Sequence, residues 1–170
     1  FYPEFNNWIT ADPRYDVTMG WARYLSATGT LYFCPTKLAR GGRADMNDKF
    51  TTYYFRYPEL LIMQAELLAR TGAPLSEAIA PINLMRSQRT NPQLSPLPVP
   101  SSEEELMDAI FREYCLELYG ENGSDWLASL RMEKNGEPWF KTLKADIDVA
   151  RITLELCSWP IPSTETSVNT

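Results

Sequence analysis

Four charged side chains in the middle of the sequence have the types and spacing that could do acid–base chemistry or bind an anion. Arg56, Glu59, Glu66 and Arg86 bring two carboxylates and two guanidinium groups to one short stretch of the chain. All four lie beside apolar stripes, where helical hairpins pair opposite charges, and removing one partner of a buried pair costs about 3–5 kcal/mol. The positions therefore favour a structural charge network over a reactive site.

The composition removes most other catalytic chemistry. The 170 residues include no histidine, the commonest general base and metal ligand. Nucleophiles of the Ser–His or Cys–His type are therefore excluded. Glycoside hydrolysis needs only two carboxylates, but with 22 acidic residues that requirement is met by abundance alone. We expect no enzymatic activity, no metal and no cofactor.

The three cysteines, Cys34, Cys115 and Cys157, are far apart and odd in number. They fit neither a zinc-binding pattern nor a disulfide framework. Cys115 lies among apolar helix positions, which predicts a buried free thiol.

The charge and hydropathy of the chain limit its partners. A net charge of −6 with scattered lysines and arginines disfavours nucleic acid. No stretch approaches the roughly 20 apolar residues that span a bilayer, and no signal peptide is visible. The chain begins at Phe1, not methionine, which predicts a processed or truncated product.

Aromatic residues are frequent in the first fifty residues, which read as irregular structure. Trp8, Trp21, Tyr24 and Tyr32 could form a stacking platform for a sugar, or could cover the helical part of the protein. The covering role is favoured, so these four are only candidate glycan-binding residues. Three other tryptophans fit packing positions better: Trp126, Trp139 and Trp159.

Helical periodicity begins at Tyr57. One apolar face is predicted to carry Tyr57, Leu61, Ala65 and Leu68, widened by Leu60, Gln64 and Leu67, and Gly72 ends the helix. A second helix follows from Ser76 to Arg89, with Pro81 inside it and an apolar stripe at Leu75, Ala78, Ile79, Ile82 and Met85. Because the connection is short, the two helices are predicted to pack antiparallel.

A second helical pair is predicted after the proline-rich connector at 91–100. Ser102 and Glu105 match a capping box, and the helix beyond carries Met107, Ile110, Phe111, Tyr114 and Leu118 before Gly120 and Gly123. A short fourth helix starts at Ser124, and Asn135-Gly136 indicates a turn. We therefore expect an all-α, repeat-like fold, with irregular segments at 1–50 and 132–170 around hairpins at 56–131.

The order of several short motifs resembles the C-terminal region of the SusD/RagB family. The early motifs are Asp12-Pro13-Arg14, Lys37, Arg56-Tyr57-Pro58-Glu59, Ala65-Glu66 and Asn83-Leu84-Met85-Arg86. The later ones are Glu117-Leu118, Glu121, Arg131 and Pro160-Ile161-Pro162 followed by Glu165 and Asn169. Together they cover nearly all of the chain.

Three positions depart from the family pattern. The usual Glu-Arg pair before Glu-Leu is Glu113-Tyr114, an expected arginine is Ser124, and an expected aspartate is Leu127. These departures indicate a divergent branch of the family.

The resemblance implies a fold of tetratricopeptide-like helical hairpins, with residues 1–170 as the C-terminal part of one SusD/RagB-like domain. It adds Glu117 and Arg131 to the structural charge network. It also implies a lipid-anchored, non-catalytic protein on the outer-membrane surface that presents oligosaccharides to a SusC-like TonB-dependent transporter. This chain would be mainly the supporting half. The alternative is a helical-repeat protein-interaction scaffold that binds no glycan.

Overall fold

The computed structural model describes residues 3–23, 31–35, 37 and 54–142. Helices dominate this part of the chain, which confirms the all-α expectation. They are α1 (Pro3–Ala11), α2 (Tyr15–Thr18), α3 (Tyr57–Arg70), α4 (Leu75–Ser87), α5 (Glu103–Glu117), α6 (Ser124–Arg131) and a 3-10 turn at Trp139–Thr142. Among the described residues, every helix is too short or too polar to cross a membrane.

The predicted hairpin of α3 and α4 is confirmed. Pro58 lies in the first turn of α3, where its missing amide hydrogen costs nothing. Gly72 follows the helix with φ of +76°, a conformation that glycine adopts without strain. Pro81 lies inside α4, and the helix continues through it to Ser87. The short connection lets α3 and α4 pack against each other along their lengths.

The predicted apolar face of α3 is partly wrong. Leu61 and Ala65 are buried as expected, but Tyr57 and Leu67 are 65% and 62% exposed. Ile62 and Ala69 take their places in the core. Because α3 is apolar around most of its circumference, periodicity alone could not fix its rotation. The buried carboxylate of Glu66 lies on the same side as Ile62 and Ala69, and its partners lie on α5 and α6.

The capping box before α5 is confirmed at its serine. The Ser102 hydroxyl accepts a hydrogen bond from the Glu105 amide at 3.1 Å. The Glu105 carboxylate accepts instead from the amide and hydroxyl of Ser101, both at 2.7 Å. The helix then buries most of its predicted face against α3 and α4, at Ile110, Phe111, Tyr114 and Leu118. Met107 is only half-buried, and Leu106, which was not predicted, is buried instead.

The expected irregular structure at 132–170 is wrong for its described part. Asn135 and Gly136 both have positive φ, at 54° and 77°, and join β3 (Glu133–Lys134) to β4 (Glu137–Pro138) in an antiparallel hairpin. The hairpin is stable in this place because it leads into Trp139, which stacks on Phe111 with ring centroids 4.4 Å apart. Trp159-Pro160-Ile161-Pro162 lies outside the described residues.

The expected irregular structure at 1–50 is also wrong where the structure describes it. Helix α1 ends at Ala11, before Pro13, and α2 and an antiparallel pair of strands follow, β1 (Met19–Arg23) and β2 (Leu31–Pro35). The pairing runs from Met19 opposite Pro35 to Arg23 opposite Leu31. Trp8 and Ile9 pack against the helical core, which supplies the tertiary stabilisation that a nine-residue helix lacks alone.

Candidate functional site

A buried carboxylate on α5 joins three segments that are far apart in sequence. Glu113 is 2% exposed. Its Oε2 accepts from Arg14 Nη1 at 2.7 Å, and its Oε1 accepts from Arg14 Nη2 at 3.0 Å and from Arg86 Nη1 at 2.6 Å. Arg14 also donates to both oxygens of Asp12, at 2.9 and 3.0 Å. This Glu113 cluster (Asp12, Arg14, Arg86 and Glu113) connects the segment after α1 to α4 and α5.

A second cluster lies at the carboxyl end of α5. Arg56 donates from Nη2 to Glu117 Oε1 at 3.1 Å and from Nε to Glu121 Oε2 at 2.7 Å. Arg89 also contacts the Glu117 carboxylate, and the Lys37 ammonium lies 2.5 Å from Glu121 Oε1. The side chains of Glu117 and Glu121 are each 3% exposed. This Glu117 cluster (Lys37, Arg56, Arg89, Glu117 and Glu121) holds the start of α3 and the end of α4 against α5.

A third cluster surrounds Glu66 on α3. Its Oε2 accepts from the Tyr114 hydroxyl at 2.9 Å and from Arg131 Nη2 at 2.7 Å, while its Oε1 accepts from Arg70 Nε at 2.9 Å. The Arg131 guanidinium also lies over the Tyr114 ring, 5.0 Å from its centroid. This Glu66 cluster (Glu66, Arg70, Tyr114 and Arg131) therefore connects α3, α5 and α6.

Two of the three departures from the family pattern that the sequence resembles contribute polar contacts to this arrangement. Tyr114 donates to Glu66, and Ser124 donates from its hydroxyl to Glu59. Asn122 Nδ2 also donates to Glu59 Oε2 at 2.9 Å. Glu59, although buried, is thus satisfied by an amide and a hydroxyl rather than by arginine.

Two of the clustered carboxylates, Glu66 and Glu121, have pKa values below the ordinary value for glutamate. Burial raises the pKa of Glu66, but its hydrogen bond from Arg131 and the positive charge of Arg131 outweigh burial, so the pKa lies below its ordinary value of 4.5. Burial likewise raises the pKa of Glu121, and the hydrogen bonds from Arg56 and Lys37 bring it below 4.5. For Lys37, burial is the larger effect and lowers the pKa to about 8.

We expect the protein to lose stability in acid. Carboxyl groups whose pKa is lower in the folded than in the unfolded state stabilise the fold above their unfolded pKa, and the contribution is lost as the pH falls. Glu66, Glu121 and Asp12 are all shifted in this direction, from ordinary values of 4.5, 4.5 and 3.8. Urea unfolding at several pH values measures the effect. A free energy of unfolding that is constant or rises as the pH falls from about 5 to about 3 would contradict it.

Three of the four candidate glycan-binding aromatic residues lie in elements that the structure describes, α1 and the β1–β2 pair. Trp8 is half-buried on α1, with the Arg112 guanidinium 5.3 Å from its ring centroid. In the β1–β2 pairing, Trp21 is opposite Phe33 and Tyr32 is opposite Ala22. Tyr24 lies outside the described residues.

The three tryptophans that were predicted to pack differ in their burial. Trp139 is buried, whereas Trp126 is 48% exposed and has its ring edge toward Phe140. Trp159 lies outside the described part of the chain.

The prediction that Cys115 is a buried free thiol is confirmed. It is a free, buried thiol, and burial raises its pKa well above the ordinary value. A thiol in this state is a poor nucleophile.

Sequence reasoning missed Glu113 as the centre of the first cluster. Arg14 and Glu113 are 99 positions apart, so no local pattern connects them. The sequence does contain one indication that Glu113 is buried, because this residue lies between Phe111 and Tyr114 on the buried side of α5. A charged side chain in that position requires an opposite charge from another segment.

Helical hairpins joined through buried arginine–glutamate contacts define this chain as an α-helical protein. The sequence matches the family model described as the SusD family over residues 26–126, more than half of the chain. The chain belongs to the SusD family, as the motif order indicated, and proteins of this family are binding proteins of nutrient uptake at the outer membrane. No curated protein and no solved structure matches the chain.

Proposed function

We propose that this chain is the supporting, C-terminal part of a SusD-type protein that captures glycans without altering them. Residues 1–170 form part of one SusD/RagB-like domain, with the hairpins at 56–131 as its rigid centre. The glycan is an oligosaccharide or polysaccharide, passed to a SusC-like TonB-dependent transporter. The match to the SusD family over residues 26–126 is the observation that carries this proposal.

The clusters support a structural and not a catalytic role for the charged residues. A general acid active near neutral pH needs a carboxyl group whose pKa is raised. Glu66, Glu121 and Asp12 are shifted the other way, each because arginine or lysine donates to it. The ion pairs therefore stabilise packing between helices and leave these carboxylates poor proton donors.

The proposed location is the outer-membrane surface, with attachment by a lipid outside this chain. The gene sequence preceding the codon for Phe1 tests it cheaply. We expect it to encode a signal peptide that ends at a cysteine for lipidation. An open reading frame that begins without any export signal would contradict this location.

One observation favours the alternative of a protein-interaction scaffold. Apolar side chains of α3 and α6 line an open groove of about 610 Å³, among them Leu60, Met63, Leu67 and Leu127. Each of these four is 45% exposed or more, and exposed apolar patches of this kind are typical of protein-contacting surfaces. Docking on a transporter is itself protein binding, so the two functions differ only in whether a glycan is bound.

Affinity electrophoresis of the full-length protein in gels containing single polysaccharides tests the proposal. We expect at least one neutral polysaccharide to retard the protein relative to an unrelated protein of similar charge. Unchanged mobility across glucans, mannans, xylans and galactans, with the transporter still co-purifying, would support the protein-interaction scaffold instead.

A further inference from the structure

A polar cleft lies on the opposite side of α5 from the apolar groove. It has a volume of about 360 Å³ and is bounded by α1, α5 and the proline-rich connector. Its walls include Trp8, Leu97, Pro100, Asp108 and Arg112. Small-molecule sites have volumes of about 300–1,000 Å³, so the cleft matches a ligand of one or two sugar rings.

Two polar groups in this cleft have hydrogen-bonding capacity that no described residue uses. Asp108 Oδ1 and Arg112 Nε are buried and without a hydrogen-bond partner in the part of the chain that the structure describes. The other oxygen of Asp108, Oδ2, accepts from Lys134 Nζ at 3.3 Å. Because Asp108 and Arg112 are four residues apart on α5, they lie one helical turn from each other. An acceptor and a donor at this spacing match adjacent hydroxyl groups of a pyranose.

Trp8 supplies the apolar contact that sugar recognition needs. The Arg112 guanidinium is held over its ring at 5.3 Å, which limits the orientations of the guanidinium. Leu97, Pro98 and Pro100 add a further apolar wall. The C–H face of a sugar can pack against such a surface while its hydroxyls reach the charged groups.

The charges around the cleft favour a neutral ligand. Its lining carboxylates are Asp12, Glu105, Asp108 and Glu113, and its lining arginines are Arg86 and Arg112. Arg14 pairs with both Asp12 and Glu113, and Lys134 pairs with Asp108. Four negative and four positive groups therefore balance, so neither a uronic acid nor an amino sugar gains a net attraction.

We propose that this cleft is a saccharide subsite for a neutral pyranose, in which Trp8 packs against the ring and Asp108 and Arg112 bind adjacent hydroxyls. The proposal rests on the proposed glycan-binding function and assigns part of that function to this chain. Asp108 Oδ1 and Arg112 Nε are covered by neighbouring groups, so we expect small rotations of both side chains to expose these atoms when the sugar binds.

Calorimetric titration of the full-length protein with maltohexaose, cellohexaose, xylohexaose and mannohexaose tests the subsite. For the oligosaccharide that binds, we expect Asp108→Asn and Arg112→Gln each to raise Kd by about ten-fold, the effect of one lost hydrogen bond to a charged group. Asp16→Asn and Glu77→Gln are matched controls, since both neutralise exposed side chains outside the cleft. Urea unfolding of each variant shows whether the fold is retained.

An independent readout is the indole N–H signal of Trp8 in two-dimensional NMR spectra, assigned with Trp8→Phe. We expect the oligosaccharide to shift this signal. If the protein binds an oligosaccharide while both cleft variants keep the original Kd and the Trp8 signal does not move, the subsite is wrong and the proposed function stands. If the unsubstituted protein binds none of the four, the subsite is overturned, and failure in the polysaccharide gels as well would overturn the function.

Discussion

Replacing Glu113 with glutamine is expected to lower the free energy of unfolding by about 3–5 kcal/mol, the loss typical of a broken buried ion pair. The glutamine amide is nearly the same size as the carboxylate, so the change tests charge and not volume. Arg14 and Arg86, which are only 4% and 8% exposed, would then lie beside a neutral group. Asp12 would remain as a partner of Arg14, whereas Arg86 donates to no other carboxylate among the described contacts.

Urea unfolding followed by circular dichroism measures this loss. Glu133→Gln is the matched control, because Glu133 is exposed on β3 and a surface change of this kind is expected within about 0.5 kcal/mol. A loss below about 1 kcal/mol for Glu113→Gln would mean that the Glu113 cluster does not hold the three segments together.

Replacing Phe111 with alanine is expected to cost about 3–5 kcal/mol, the range for a buried aromatic residue truncated in a core. Phe111 is fully buried on α5 and stacks on Trp139 with its ring 15° from parallel. The substitution removes both the core contacts and the stacking partner. The hairpin of β3 and β4 and the following 3-10 turn should therefore loosen together with the core.

Thermal and urea unfolding measure the loss. Because the chain has five tryptophans, the emission is compared with that of a Trp139→Phe variant to report the environment of the stacked ring. Leu84→Ala is the control, because Leu84 is a large apolar residue of α4 that is 48% exposed. If the alanine variant does not fold, Phe111→Leu retains most of the volume and should cost about 1 kcal/mol. A stable Phe111→Ala variant with unchanged tryptophan emission would show that residues 132–142 pack elsewhere.

Local signals in the sequence predict the helices α3 to α6 but not α1 and α2. The apolar period of α4 and α5, the capping box at Ser102 and the glycines after α3 and α5 all act over a few residues. Asn135-Gly136 likewise predicts its turn, because both residues tolerate positive φ. The β1–β2 pairing was harder to predict, since the short strands carry no clear alternation of apolar and polar residues.

The candidate sites depend on contacts that local patterns do not contain. The rotation of α3 is set by Glu66, whose partners Tyr114 and Arg131 are 48 and 65 positions away. The family resemblance supplied several members of the clusters, including Arg56, Glu117 and Arg131, but not their pairing. The cleft beside Trp8 could not be predicted either, because its walls come from α1, α5 and the connector between α4 and α5.

The ion pairs also explain how divergent residues can occupy family positions. Tyr114 takes the place of an expected arginine and still donates a hydrogen bond to Glu66, while Arg131 supplies the positive charge. Ser124, in place of another expected arginine, donates to Glu59. Both carboxylates are therefore hydrogen-bonded in this chain without the expected arginines.

We propose that this protein holds a glycan without acting on it. The most direct measurement follows the anomeric proton signals of a bound oligosaccharide by NMR during prolonged incubation with the full-length protein. We expect broadened signals from binding and no new reducing-end signals over time. The appearance of new reducing ends, at a rate that rises with protein concentration, would contradict it.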